Sequence, residues 1–136
     1  MNADIQTSAL SRHSDTLALG ARVLIAPIFV LSGAAKLADP AGTIGYIGSV
    51  GLPFAEAGYA ATVAVELIGG LALLAGFKTR IAALALALFT LAAALAFHFQ
   101  LGDQNQFIHF FKNLAMAGGL LQIAAFGAGR FSLDRR

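Results

Sequence analysis

Four long apolar runs, each about the length needed to cross a bilayer, constrain this chain more than any other feature of its sequence. They cover residues 17–37, 58–77, 81–99 and 107–126. The composition agrees: 58% of the residues are hydrophobic, 12% are charged, and the mean hydropathy is +0.77. A soluble domain of 136 residues cannot cover that much apolar surface with its own polar side chains, whereas lipid is a solvent for it. The predicted fold is all-α: a four-transmembrane-helix bundle, antiparallel and up-down, with no room for a separate extramembrane domain.

Residues 1–16 read as a cytoplasmic N-terminal tail, 17–128 as the transmembrane domain and 129–136 as a cytoplasmic C-terminal tail. The first span starts near Arg22, continues through VLIAPIFVL and reaches the small residues Ser32, Gly33, Ala34 and Ala35. That order resembles a secretory signal, but three further spans follow it, so retention in the membrane is expected. Asp39-Pro40 ends the span, because proline disfavours helical geometry in the residue before it. The glycine-rich stretch that follows, with Tyr46, Pro53 and Phe54, reads as a loop lying partly in the interface. Lys78-Thr79-Arg80 forms a tight turn, and LGDQNQ (residues 101–106) a polar loop.

Orientation follows from the basic residues. Arg12, Arg22, Lys78, Arg80, Arg130, Arg135 and Arg136 fall on one side, and only Lys36 and Lys112 on the other. Cytoplasmic segments carry the excess, so both termini are expected in the cytoplasm. This scatter at helix ends also argues against nucleic acid as a partner; the expected partner is the lipid bilayer. Cysteine is absent, which excludes disulfide relay, thiol nucleophiles and iron–sulfur ligation by this chain.

Ionisable residues inside apolar spans are costly, about 2.5–3.5 kcal/mol each on insertion scales, so their positions are informative. Arg22, Phe29 and Lys36 recur at intervals of seven on the first span. Tyr59, Thr62, Glu66 and Leu73 share a face of the second, Thr90, Ala94 and His98 of the third, and His109, Lys112, Asn113 and Met116 of the fourth. If these stripes turn inward, Lys36, Tyr59, Thr62, Glu66, His98, His109, Lys112 and Asn113 form a polar cluster in the outer half of the bundle.

Glu66 lies nearest the bilayer midplane, about 13 Å into its span at 1.5 Å per residue. Two readings stand side by side. It is either a structural carboxylate, paired with Arg22 or Lys36 or carried protonated, or a ligand-binding, proton-accepting group. The aromatics Phe97, Phe99, Phe107, Phe110 and Phe111 either anchor the interface or wall a flat apolar pocket of the kind a quinone ring requires. His98 and His109 lack a third ligand and any spacing logic, so no metal site and no catalytic residue are assigned.

Three segments resemble the DoxX family of membrane proteins: RVLIAPIFVLSGAAKLADP in the first span, ELIGGLALLAGFKTRIAA through the second turn, and QFIHFFKNLAMAGGLL in the fourth. The motif positions carried over are Arg22, Ser32, Gly33, Lys36, Glu66, Gly70, Arg80, Lys112 and Asn113. The resemblance implies a small multi-pass protein of the bacterial inner (plasma) membrane. It also implies association with a quinol-oxidase or thiosulfate:quinone oxidoreductase type of system, the family being named for a subunit of one.

Three functions compete. The first is a quinone-linked redox subunit, with quinone as the candidate ligand and a redox enzyme or a second copy of the chain as partner. The second is a non-catalytic assembly or scaffold protein. The third is a small-solute carrier, for which the chain is short and shows no internal repeat.

Overall fold

The computed structural model describes residues 2–134, in which five helices follow one another: α1 (Asn2–Ala38), α2 (Pro40–Ser49), α3 (Ala55–Ala75), α4 (Thr79–Phe97) and α5 (Gln104–Phe126). There is no strand among the described residues. α1 has 37 residues, about 55 Å at 1.5 Å per residue, against a hydrocarbon core of about 30 Å. The segment read from sequence as a tail is therefore carried as helix, its Ser8, Ser11 and Thr16 hydroxyls donating to the carbonyls of Ile5, Ser8 and Arg12.

The connection expected to be a loop contains α2. Asp39-Pro40 ends one helix and starts the next. The Asp39 carboxylate accepts the Gly42 amide at 3.0 Å, and Pro40 in the first turn gives up only an amide that would lack a partner anyway. The turn between α3 and α4 also lies earlier than the sequence suggested. Thr79 is already helical, and the reversal is made by Gly76 and Lys78, both with positive φ (69° and 45°).

Among the described residues three helices are long and apolar enough to cross a membrane: Asp4–Ala38 within α1, then α3 and α4. α5 has 23 residues, but Gln104, Gln106, His109, Lys112 and Asn113 crowd its first half and lower its apolar content.

The four long helices close a ring in which α1 packs on α3, α3 on α4, α4 on α5 and α5 on α1, while α2 caps one end against α3. Neighbours run antiparallel. Lys36 near the end of α1 meets Glu66 in the first half of α3, whereas Arg22 meets the last turn of α3. The core holds Ala26, Phe29, Leu73, Ala83, Leu86, Ala87, Leu120 and Ile123. Glycine sets the α1–α3 spacing. A methyl on Gly70 would stand 2.9 Å from Val30 Cγ2 and 3.2 Å from the Val30 amide nitrogen, and one on Gly33 would stand 2.7 Å from Leu67 Cγ.

Candidate functional site

The periodicity of each helix sends its polar stripe into one cavity. It measures about 260 Å³ and lies between the loop-side halves of α1, α3, α4 and α5, with α2 across it. Lys36, Thr62, Glu66, His98, His109, Lys112 and Asn113 all line it, together with Ser32, Thr90 and Met116. Tyr59 is the one expected member outside the lining. Its hydroxyl donates to the Lys36 carbonyl at 3.3 Å, holding the end of α1 against α3.

At the cavity wall the Lys36 ammonium donates to Glu66 Oε2 at 2.9 Å and to Ser32 Oγ at 2.6 Å. The Ser32 hydroxyl donates to Glu66 Oε1 at 3.0 Å. Serine four residues before lysine puts both on one face of α1, so a single helix presents both donors to the carboxylate. Glu66 is 4% exposed; with one donor on each carboxylate oxygen, one of them an ammonium, its charge is compensated, which is the condition for burying it.

Arg22 is not its partner. The guanidinium lies at the opposite end of the bundle and is fully buried. It donates to the carbonyls of Leu73 (3.3 Å) and Leu74 (3.0 Å) and to that of Phe131. The first two are among the last carbonyls of α3, which have no intrahelical donor. The third belongs to the C-terminal segment, which folds back over that end. There the Leu133 and Asp134 amides donate to Ala75 and Gly76, and the Asp134 carboxylate accepts the Lys78 and Thr79 amides at 2.7 Å each. This arrangement holds the Asp134 carboxyl below the usual carboxylate range, through the adjacent Thr79 hydroxyl, the Thr79 and Lys78 amides and the Arg22 charge. The sequence carried Arg22 as a candidate ion-pair partner, and nothing in the spacing shows that it caps α3 and ties down the tail.

On the other wall, His98 Nδ1 and Gln106 Oε1 are 2.9 Å apart, and the His98 and His109 rings are tilted against each other with centroids 5.1 Å apart. Asn113 Nδ2 donates to the Thr90 carbonyl at 3.4 Å, tying α5 to α4. Lys112 has neither a hydrogen-bond nor an ion-pair partner among the described residues, so its ammonium is left to the cavity mouth. No group of three or more His, Cys, Asp or Glu side chains is brought together among the described residues.

The aromatic wall differs from expectation. Only Phe97 of the five expected phenylalanines lines the cavity; Phe29, Phe89 and Tyr46 supply the rest. Phe99, Phe107, Phe110 and Phe111 instead pack against one another outside it in tilted and edge-on pairs, at centroid distances of 4.7–5.6 Å. Three of them are more than two-fifths exposed, as side chains at a membrane interface are. Tyr46 was visible in the sequence only as a loop residue. It stacks on Phe97 at 5.4 Å from α2, and the Asp-Pro start of that helix was the available signal.

Comparison with known proteins agrees with this helical, apolar architecture. The family model described as DoxX matches residues 17–99, ending ahead of α5. Inner membrane protein YqjF of Escherichia coli strain K12 is 37% identical over 128 residues, covering 93% of this chain and 95% of that protein. Inner membrane protein YphA of the same strain is 34% identical over 125 residues, 88% of this chain and 89% of that protein. No solved structure matches the chain.

Proposed function

The chain belongs to the DoxX family and is a multi-pass inner-membrane protein; from that premise we propose that it is a bacterial membrane subunit of a quinone- or quinol-linked redox system. It binds its lipid-soluble ligand in the cavity between the helices. In this reading α5 is a fourth span and both termini are cytoplasmic. The distribution of Lys and Arg supports that topology, as does the antiparallel seating of α5 along α4.

The observation that carries the proposal is the pairing of surfaces in one cavity of about 260 Å³. Phe29, Phe89 and Phe97 offer flat apolar contact, and an uncommitted ammonium and two imidazoles face the same space. The volume lies close to the lower end of ligand pockets, about 300–1,000 Å³, and suits one ring-sized headgroup. The Lys112 ammonium supplies a donor to a carbonyl oxygen, and His98 and His109 supply ring nitrogens able to donate or accept a hydrogen bond. Glu66 is already engaged by Lys36 and Ser32, so it orients the Lys36 wall rather than meeting the ligand.

The test is to purify the chain from its native membrane in mild detergent and analyse it by mass spectrometry for small molecules and accompanying proteins. Stoichiometric quinone, lost in Lys112→Ala, is the expected result. Protein that carries no quinone and whose melting is unchanged by added quinone would sink the proposal. One observation favours a second reading, a scaffold: the Lys36–Ser32–Glu66 network closes on itself and joins α1 to α3 without any ligand. Recovery of a partner enzyme with no bound small molecule would select that reading.

A further inference from the structure

A second concavity lies at the opposite end of the bundle. It is a groove of about 880 Å³ between the start of α4 and the end of α5, lined by Lys78, Arg80 and Arg130 and by the apolar Ile81 and Phe126. Its two carboxylates are both taken by backbone amides. Asp134 accepts those of Lys78 and Thr79 at 2.7 Å, and Asp15 accepts that of Arg130 at 3.0 Å. Arg80 turns Nη1 onto the carbonyls of Ala124 and Ala125, which close α5. Among the described residues none of the three basic side chains has a carboxylate partner. Three cationic groups therefore share one groove with two carboxylates, a net charge of +1, and none of the three is in direct ion-pair contact.

The level of the groove identifies its occupant. Thr79 is the first residue of α4, a helix apolar enough to cross the membrane, so the groove sits where that span meets the lipid headgroups. Ile81 and Phe126, which are 70% and 79% exposed, continue its wall toward the acyl chains. We propose that the groove binds the phosphate of an anionic phospholipid, with Lys78, Arg80 and Arg130 as its donors and an acyl chain lying along Ile81 and Phe126. A free phosphate shares the headgroup chemistry but has no use for the apolar wall.

The experiment is to delipidate the whole chain in mild detergent, titrate it with phosphatidylglycerol or phosphatidylcholine, and count bound lipid by native mass spectrometry. Phosphatidylglycerol should bind and phosphatidylcholine should not, and equimolar inorganic phosphate should leave the bound lipid in place. A basic side chain near an anionic lipid surface contributes a factor of about five, so Lys78→Gln with Arg130→Gln should weaken binding about 25-fold. Lys78→Arg with Arg130→Lys should retain it, which separates loss of charge from loss of fold. Arg80 is left intact because it holds the end of α5. Equal binding of the two lipids, equal binding by the neutralised variant, or displacement by equimolar phosphate would each overturn the assignment.

Discussion

Lys36 Nζ stands 2.9 Å from Glu66 Oε2 across the α1–α3 interface, and Ser32 bridges the two residues from the same helix as the lysine. Removing the lysine leaves a nearly buried carboxylate with one donor. Lys36→Met should therefore destabilise the protein by about 2–4 kcal/mol, toward the lower end of the range for a broken buried pair because Lys36 is partly exposed. Lys36→Met combined with Glu66→Gln should recover most of that loss. Thermal unfolding in detergent reads both, and equal melting of the single and double variants would remove the pair from the account.

The α1–α3 spacing gives a sharper comparison. Gly70→Ala puts a methyl into Val30 and Phe29 and should destabilise by about 1–3 kcal/mol through overpacking. At Gly118, also helical, no atom lies within 4 Å of the added methyl. Gly118→Ala should be neutral or gain up to about 1 kcal/mol from helix propensity. Opposite signs in one melting series are the expected outcome.

Arg22 joins α3 to the C-terminal segment, so its loss should be felt in both. Arg22→Gln should destabilise by about 2–4 kcal/mol, since carbonyls bonded to a charged donor lose their partner in a buried place. Hydrogen exchange should also rise at the Leu133 and Asp134 amides, which bond to Ala75 and Gly76. A fall in stability without faster exchange there would separate the cap from the tail.

The tail also carries a pH dependence whose sign is fixed. The Asp134 carboxyl is held below its ordinary value of 3.8, so ionised Asp134 stabilises the docked tail. That contribution is complete above the ordinary value and is lost as pH falls through the lower, folded one. Exchange at the Lys78 and Thr79 amides should accelerate only in that acidic window. Asp134→Asn should abolish the change.

The four long helices and most of their inward-facing polar residues were legible because both rest on periodicity, which one chain displays in full. Thr90 and His98 on one helix, and His109, Lys112, Asn113 and Met116 on another, come together at one cavity as their spacing of three and four suggests. Which residue meets Glu66 was not legible. Arg22 and Lys36 share a stripe of α1, and only the register of α1 against α3 decides between them. Glycine-rich PAGTIGYIGS (residues 40–49) has poor helix propensity yet folds as α2, because Asp39 and Pro40 start it and Ile47 is buried behind it. The aromatic residues misled for a related reason. Residue type says that Phe99, Phe107, Phe110 and Phe111 prefer an apolar place, but lipid serves as well as a pocket.

The glycine seating of α1 on α3 makes one side of the cavity rigid. Two helices in contact through Gly33 and Gly70 have no side-chain slack between them, so they form a fixed wall. On the far side, Asn113 bonded to Thr90 and His98 beside Gln106 bind α4 to α5 as a second wall. α2 closes the end of the cavity, seated on α3 with Ile47 buried and Tyr46 stacked on Phe97. If the cavity takes the ligand proposed above, α2 forms the part of its boundary that carries Tyr46, the side chain that both lines the cavity and stacks on Phe97.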